Sequence, residues 1–205
     1  GGNKLTALNV RDLRALQTLR CNGNLFTELD VHGLKTLKNL YCKNNELRAL
    51  NVEGCAALEE LECDANQLTA LDVHGLTALK ELQCYDNLLT DLNVQGCTAL
   101  EKLECYDNRL TELNVQGCIA LRSLDYTGNR LNTQAFIKIF NDLSHLPQIL
   151  HSPVGLYYLY TEKTGVPEGN LTNFTDAGAA TAFQNAKNRN WKMYKYDANG
   201  TPVEI

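Results

Sequence analysis

The sequence lacks any apolar run close to the length that a membrane-spanning helix needs, about 18 residues or more. Its 205 residues are 44% hydrophobic, which is typical of a folded protein with a core of its own. The chain opens on Gly1-Gly2-Asn3 without a basic and then apolar leader. These features leave two possibilities, a cytosolic protein or an exported protein whose signal was removed.

The sequence also lacks the short motifs that mark common enzyme active sites. It has no glycine-rich phosphate loop, no nucleophile elbow and no zinc-protease helix. None of its four histidines has a partner at a spacing that would make it a general base. These are His32, His74, His145 and His151. The sequence therefore predicts that the protein is not an enzyme and that it holds no cofactor.

The chain has no dense cluster of lysines and arginines. Its net charge is -5, and the charge is unevenly spread. Residues 1–50 carry eight basic and four acidic side chains, whereas residues 51–131 carry five basic and fourteen acidic ones. Because phosphate binding needs clustered basic residues, nucleic acid is excluded as the main partner. The acidic middle favours a basic or mixed-charge protein partner.

A repeat of 21 residues organises most of the sequence. One column contains cysteine in five successive units and tyrosine in the sixth, and other columns contain asparagine, leucine, valine or a turn glycine. The cysteine column is Cys21, Cys42, Cys63, Cys84, Cys105 and Tyr126, and the asparagine column is Asn3, Asn24, Asn45, Asn66, Asn87, Asn108 and Asn129. A period near 20 residues is typical of a solenoid, in which each coil covers the apolar face of its neighbour.

Alternation inside one unit predicts strands on both sides of each coil. Leu82 and Cys84 are two residues apart, so both side chains should point inward from one short strand. Leu92 and Val94 repeat this spacing on the opposite wall. A unit of this length leaves little room for a helix, so we expect a β-rich coil with at most a brief 3₁₀ segment.

The asparagine column is predicted to be structural. A coil that turns sharply after its strand leaves backbone groups pointing inward, and each unpaired buried group costs about 1–3 kcal/mol. The side chain of Asn87 and its equivalents both donates and accepts hydrogen bonds. Stacked asparagines are therefore expected to pair those backbone groups in coil after coil.

The cysteines are predicted to be buried free thiols. Free cysteine behaves as a small hydrophobe, and the sequence has no C-x-x-C pair for a metal. Strands of adjacent coils lie about 4.8 Å apart, but parallel side chains keep the Cβ atoms slightly too distant for a disulfide. A bridge between Cys97 and Cys118, at turn positions, stays open, as does a Ca²⁺ site between Asp86 and Asp107.

The spacing L-x-x-L-x-C-x-x-N-x-L resembles the leucine-rich-repeat family, in particular its 21-residue bacterial class with cysteine, sometimes called IRREKO. The resemblance covers residues 3–131, about six units. It implies a right-handed α/β, β-rich solenoid with a parallel sheet on its concave side. It also implies a bacterial protein that is secreted or anchored at the cell surface, but it implies no reaction.

Residues 132–205 break the period and are predicted to form a C-terminal αβαβ cap packed on the last repeat. We expect a helix at 133–143, a strand at 155–160, a helix capped by Thr175-Asp176, and a strand at 191–196. A hairpin turn at 197–200 follows. The segment is similar to the one that closes secreted bacterial proteins of this repeat class.

The outward side chains of the concave strands form the candidate binding surface. They differ from unit to unit, and aromatic residues surrounded by charge are common at protein interfaces. Tyr85 and Tyr106 should be neighbours. The predicted partner-binding residues are Tyr41, Lys43, Glu62, Asp64, Gln83, Tyr85, Glu104, Tyr106 and Asp125.

The leading hypothesis is a monomeric, non-enzymatic module that binds a protein partner, with no membrane insertion of this region. The alternatives are carbohydrate binding by the cap and a purely structural spacer of a surface protein. The cap aromatics that suggest carbohydrate are Tyr157, Tyr158, Tyr160, Trp191, Tyr194 and Tyr196. Glycosylation sequons start at Asn170, Asn173 and Asn199.

Overall fold

A computed structural model describes residues 2–144, 155–162, 169–170, 176–189 and 191–205, with the backbone alone for residues 144 and 155–161. The strands in chain order are β1 Thr18–Arg20, β2 Glu28–Asp30, β3 Asn39–Tyr41, β4 Ala49–Asn51, β5 Glu60–Glu62, β6 Ala70–Asp72, β7 Glu81–Gln83, β8 Asp91–Asn93, β9 Lys102–Glu104, β10 Ser123–Asp125, β11 Gly155–Thr161, β12 Trp191–Tyr196 and β13 Pro202–Glu204. The helices are α1 Thr133–Ser144 and α2 Ala177–Asn188.

One sheet of nine strands runs through the whole protein in the order β1-β3-β5-β7-β9-β10-β11-β12-β13. From β1 to β10 the strands are parallel and in register, so that Leu61 lies beside Leu40 and Leu82. Strand β11 joins β10 in parallel, β12 joins β11 in parallel, and β13 is antiparallel to β12. The predicted solenoid with a parallel concave sheet is confirmed, and the sheet continues without a break into the cap.

The opposite, convex wall has shorter ladders. Strands β2 and β4 pair in parallel, β6 and β8 do the same, and a single bridge joins Asn93 to Asn114. The prediction of extended structure on both walls is confirmed. Two turns, closed by bonds from Leu76 N to Val73 O and from Leu79 N to Leu76 O, replace the brief 3₁₀ segment.

The inward columns form a continuous core. Leu82, Cys84, Leu92 and Val94 are all buried, as are their equivalents from the coil of Phe26 onward except Leu50, which is half-buried. All eight cysteines are buried and free. The thiols of Cys55, Cys97 and Cys118 fill a second column, where each contacts the carbonyl oxygen of a valine in the preceding coil. The Cys97–Cys118 bridge that the sequence left open is therefore absent.

The asparagine column forms a ladder of hydrogen bonds. The Nδ2 of Asn87 donates to the carbonyls of Cys63, Cys84 and Tyr85, at 3.1, 3.2 and 3.2 Å. Its Oδ1 accepts the N–H of Leu68 at 2.9 Å. The same pattern recurs at Asn45, Asn66, Asn108 and Asn129. The predicted structural role of the column is confirmed.

The residue after each concave strand turn adopts a left-handed backbone conformation. The residues with positive φ at this position are Gly2, Gly23, Asn44, Ala65, Asp86, Asp107 and Gly128. Glycine, asparagine and aspartate tolerate this region, whereas alanine carries a steric penalty of about 1 kcal/mol or more. Ala65, with φ of 51°, is therefore the strained member of the set.

We expect Ala65→Gly to raise the free energy of unfolding by about 0.5–1 kcal/mol, because the strain relieved exceeds the added entropy of the unfolded chain. Chemical denaturation measures the change. The matched control is Ala180→Gly, on the exposed side of α2, which should lower stability by about 1 kcal/mol. Equal losses in both variants would contradict the assignment of strain to Ala65.

Helix α1 of the cap packs on the last coil, and α2 packs on α1. Phe136 and Phe140 of α1 are buried against Tyr126 and Phe183, with ring centroids 5.4–5.7 Å apart. The indole Nε1 of Trp191 donates to the carbonyl of Leu143 at 3.0 Å. The predicted helices, the strands and the hairpin turn are confirmed.

Both helix starts have side-chain caps. Oδ1 of Asn132 accepts the N–H groups of Gln134 and Ala135, and Oδ1 of Asp176 accepts those of Gly178 and Ala179. The predicted helix starts are thus confirmed. Thr175, His145, His151 and the remaining residues of 145–154 and 163–168 lie outside the described residues.

Asn170 closes the asparagine ladder from within the cap. Its Oδ1 accepts the N–H of Leu131 at 2.8 Å, and its Nδ2 donates to the carbonyl of Tyr126 at 2.9 Å. Asn129 makes the same two bonds to the coil before it. A Cβ on Gly169 would collide with the carbonyl oxygen of Asn129, so glycine permits this close approach. Asn170 therefore occupies the place that the asparagine of a further repeat would take.

Candidate functional site

The concave face consists of the outward side chains that flank the inward leucine and cysteine of each concave strand. Because side chains alternate along a strand, each coil contributes three such positions, and in-register stacking aligns them in columns. One column reads Lys43, Asp64, Tyr85, Tyr106 and Thr127, and the next reads Arg20, Tyr41, Glu62, Gln83, Glu104 and Asp125. All nine predicted binding residues thus lie in two adjacent columns.

Tyr85 and Tyr106 are stacked neighbours, as predicted. Their ring centroids are 4.3 Å apart and the ring planes differ by 7°. Asp64 and Tyr85 lie in adjacent coils of this column, and so do Tyr85 and Tyr106. The three side chains therefore lie next to one another along the column. Burial is the main cause that raises the pKa of both phenols, and the charge of neighbouring acidic groups adds to it.

Asp64 lies beside Tyr85 in the column and is buried, with 3% of its surface exposed. Burial raises the pKa of its carboxyl, and the nearby phenol of Tyr85 and the positive charge of Lys43 partly offset that effect. Within the described part of the protein, its Oδ1 has no hydrogen-bond partner. An unpaired buried oxygen is costly, so this atom is an unusual feature of the concave face.

Two ion pairs lie beside the tyrosine stack. Nζ of Lys43 is 2.7 Å from Glu62, and Nζ of Lys102 is 3.0 Å from Glu104. Gln83 lies between Glu62 and Glu104 in its column and is half-buried. The predicted site residues Lys43, Glu62, Gln83 and Glu104 therefore remain partly accessible.

The expectation that all nine positions are solvated is wrong for Tyr41, Asp64 and Asp125, which are buried. The guanidinium carbon of Arg20 lies 3.9 Å from the centre of the Tyr41 ring, and the Tyr41 hydroxyl donates to Glu60. That bond, with burial, raises the pKa of the Tyr41 phenol. Neighbouring side chains thus cover an outward position that the alternation pattern leaves open.

Asp125 is covered by the cap. Its Oδ2 accepts the hydroxyl of Tyr196 at 3.1 Å, and its Oδ1 accepts the N–H and hydroxyl of Thr127. Burial raises the pKa of the Asp125 carboxyl to about 6, against the lowering effect of these hydrogen bonds. Asp125 therefore joins the last coil to β12 and is not available to a partner.

The thiols are unsuited to chemistry. Burial raises the pKa of Cys97 to about 11 and that of Cys118 to about 12. A thiol with such a pKa is protonated at neutral pH, whereas nucleophiles and metal ligands are thiolates. Among the described residues, no group of three or more His, Cys, Asp or Glu side chains is arranged to hold a metal ion. Asp86 and Asp107 are exposed and belong to no such group.

Two cap aromatic residues with described side chains are used inside the protein, one in the core and one in a contact with the last coil. Trp191 is buried and bonded to Leu143, and Tyr196 is bonded to Asp125. The suggestion that Trp191 forms a platform for sugar is therefore wrong. The side chains of Tyr157, Tyr158 and Tyr160 lie outside the described residues. His32 and His74 are exposed on the convex wall, as expected.

The sequence analysis missed Asn170 and Tyr196. Asn170 lies 39 residues after Leu131, whose N–H it accepts. In the repeats the corresponding separation, as between Leu110 and Asn129, is 19 residues, so the repeat period does not reveal Asn170. Its burial and its bonds leave no room for a glycan, which the sequon alone does not show. Tyr196 reaches Asp125 across 71 residues, and no local pattern indicates that contact.

The 21-residue coils, the parallel concave sheet and the asparagine ladder define a leucine-rich-repeat solenoid, and the chain has that fold. It is similar to the solved leucine-rich-repeat domain of a Shigella effector, with a TM-score of 0.54 and 20% identity, over 74% of this chain and 62% of that one. No helix in the described ranges combines the length and apolarity required to cross a bilayer.

Two further solved structures are similar over part of their length. The functional domain of InlJ from Listeria monocytogenes, described as including a cysteine ladder, has 25% identity and a TM-score of 0.44, over 77% of this chain and 42% of that one. YopM from Yersinia enterocolitica has 23% identity and a TM-score of 0.45, over 62% of this chain and 31% of that one. The chain thus spans 31–62% of the length of these three structures. No protein-family model matches it, and no curated protein does.

Proposed function

We propose that the protein is a non-enzymatic module that binds a protein partner through its concave face. The proposal rests on the contrast between the uniform inward columns and the variable outward columns. The inward columns repeat leucine, cysteine and asparagine in coil after coil, whereas the outward columns change in size, charge and aromaticity. Packing does not require that variation, and a recognition surface does. The accessible centre of this face comprises Lys43, Glu62, Gln83, Tyr85, Glu104 and Tyr106.

The charge of the face favours a basic or mixed-charge protein over nucleic acid. Its charged outward residues are six acidic and three basic ones. The acidic residues are Glu60, Glu62, Asp64, Glu81, Glu104 and Asp125, and the basic ones are Arg20, Lys43 and Lys102. A phosphate backbone would be repelled by this excess, whereas a basic protein surface would be steered toward it.

The proposed setting is a secreted or surface protein of a bacterium, in which residues 3–131 form the recognition solenoid and residues 132–205 its closing cap. The resemblance to the cysteine-containing bacterial repeat class supports this setting. The continuous sheet from β10 to β12 supports a cap that is integral to the solenoid. We further propose that the module acts as a monomer.

The test is a pull-down against extracellular and surface proteins with the wild type and Tyr85→Ala/Tyr106→Ala. We expect the double variant to bind the captured protein at least about thirtyfold more weakly, because buried aromatic anchors each contribute about 2 kcal/mol or more. Titration of the captured protein by calorimetry measures the loss, and circular dichroism checks the fold.

The matched control is His32→Ala/His74→Ala, which removes two exposed rings from the convex wall. This control should keep the affinity of the wild type. If the convex variant lost the partner and the concave variant kept it, the binding surface would be on the other wall and the proposal would be wrong.

A further inference from the structure

The convex wall is open at two places. Within the described residues, β2 pairs with β4 and β6 pairs with β8, but β4 does not pair with β6. A cleft of about 380 Å³ lies at this break, and its lining includes Leu50, Val52 and Leu76. Leu50 is therefore half-buried, whereas the equivalent Leu71 in the next coil is buried. A second cleft, of about 420 Å³, lies beside Leu8 in the first coil.

Backbone hydrogen bonds close the wall on one side of the Leu76 coil and not on the other. The N–H groups of Val73 and Gly75 both donate to carbonyl oxygens of the next coil at 3.0 Å. Val52 and Gly54 are their equivalents one coil earlier, and in the part of the chain that the structure describes their N–H groups make no such bond. A Cβ on Gly96 would lie 3.8 Å from Gly75, whereas a Cβ on Gly75 would meet nothing within 4 Å. The coils of Val52 and Val73 are thus separated at the convex wall.

Leucine in place of cysteine marks both open places. The column that follows the turn glycine reads Leu34, Cys55, Leu76, Cys97 and Cys118. Each coil with cysteine pairs with the coil before it, and each coil with leucine follows a cleft. The thiol of Cys97 contacts the carbonyl oxygen of Val73 at 3.2 Å. Leucine is larger and has no hydrogen to donate, so the buried Leu76 side chain cannot make this contact with the carbonyl of Val52 and keeps the two coils apart.

The concave side of the same two coils remains closed. Strands β5 and β7 pair in parallel over their whole length, with Leu61 beside Leu82. The Nδ2 of Asn87 also donates to the carbonyl of Cys63 across this interface, at 3.1 Å. Two bodies that are joined along one edge and separated along the other can turn about the joined edge, which is the geometry of a hinge. The axis of this turn follows β5 and β7.

We propose that the cleft between the coils of Val52 and Val73 is a hinge, that Leu76 is its wedge, and that bending there changes the curvature of the concave face. This inference goes beyond the proposed function and does not depend on it. When the convex cleft widens, the outward side chains of Glu62 and Gln83 tilt toward each other, and when it narrows they tilt apart. The hinge changes the shape of the concave face at its centre while the concave strands stay paired.

Amide hydrogen exchange tests the open wall and its cause. In the wild type, the amides of Val52 and Gly54 should exchange at least about tenfold faster than those of Val73 and Gly75, because exchange is fast where no hydrogen bond protects an amide. Leu76→Cys removes the wedge and supplies a thiol, so it should slow the amides of Val52 and Gly54 at least about tenfold. Equal exchange of the two pairs in the wild type, or no slowing in the variant, overturns the proposal.

Two further variants test whether leucine is the cause. Leu34→Cys is the matched control, since it makes the same change at the other cleft and should leave the amides of Val52 and Gly54 as they are. Cys97→Leu places a wedge in a closed part of the wall and should speed the exchange of Val73 and Gly75 at least about tenfold. If a folded Cys97→Leu protein kept both amides protected, leucine would not be a wedge and the proposal would be wrong.

The bending itself is measured between two spin labels on the convex wall. His32→Cys and Gln95→Cys place the labels at exposed positions on opposite sides of the hinge, and the buried native thiols do not react. Pulsed electron paramagnetic resonance gives the distribution of distances between the labels. Leu76→Cys should shorten the mean distance and narrow the distribution, whereas Leu34→Cys, whose cleft lies outside the labelled span, should change neither. An unchanged distribution in Leu76→Cys would show that the cleft closes without bending, and the hinge would be wrong.

Discussion

Asn87→Ala is expected to lower the free energy of unfolding by about 3 kcal/mol, because it leaves several buried backbone groups unpaired at about 1–3 kcal/mol each. The amide of Asn87 serves the carbonyls of Cys63, Cys84 and Tyr85 and the N–H of Leu68. These groups belong to two adjacent coils and the bonds span the interface between them. For a chain of this length, such a loss lowers the melting temperature by about 6–12 °C. Thermal and chemical denaturation, with circular dichroism as the signal, measure both quantities.

The matched control is Asn39→Ala. Asn39 lies in β3 with its amide on the outward side, where its one bond goes to the hydroxyl of Thr18 at 3.3 Å. Its removal should change stability by less than about 0.5 kcal/mol. Asn87→Asp adds a second comparison, since a carboxylate keeps the acceptor for Leu68 and cannot donate to the three carbonyls. Were Asn87→Ala to cost no more than Asn39→Ala, the ladder would not be a source of stability.

Asn170→Ala is expected to cost about 2 kcal/mol, because it removes the acceptor of the Leu131 N–H and the donor to the Tyr126 carbonyl. Both groups lie at the end of the solenoid, where a further coil would otherwise cover them. Hydrogen exchange gives the most direct measurement. The Leu131 amide should exchange faster in the variant. The Leu110 amide, whose N–H donates to Oδ1 of Asn129, should keep its protection.

The control for this variant is Asn199→Ala, in the exposed turn before β13. It also removes a sequon asparagine, but no ladder bond depends on it, so stability should change by less than about 0.5 kcal/mol. Gly169→Ala provides an independent approach, because the added methyl group would push Asn170 away from the coil without removing its amide. If Leu131 kept its protection in both Asn170→Ala and Gly169→Ala, the cap would cover the last coil by packing alone.

Most of the solenoid could be predicted from the repeat. Each unit places leucine and cysteine two residues apart in a strand, and only one face of that strand can be buried by the next coil. The same unit repeated with one register leaves a single consistent stacking, which the pairing of Leu61 with Leu82 shows. The role of Asn87 followed because a sharp turn leaves inward backbone groups that only a side chain with both a donor and an acceptor can pair.

The candidate site was predictable only in part. Alternation assigned the nine predicted binding residues to the outward side of the sheet, and the stacking of Tyr85 on Tyr106 followed from their register. Alternation does not state what covers an outward side chain. Tyr41 is covered by Arg20 from the preceding coil, and Asp125 is covered by Tyr196 from the cap. These contacts depend on side-chain length and on where the later cap residues fold back onto the coils. A local repeat pattern does not specify either.

The sequence by itself determined the coil, its inward columns and the ladder, because each depends on contacts between equivalent residues one period apart. Only the tertiary structure decided which outward residues remain accessible, why Asp64 keeps an unpaired oxygen and how Asn170 closes the solenoid. The physical reason is the range of the interactions. A repeat specifies what lies beside each residue in the next coil, whereas burial on the concave face and at the end depends on side chains from elsewhere in the fold.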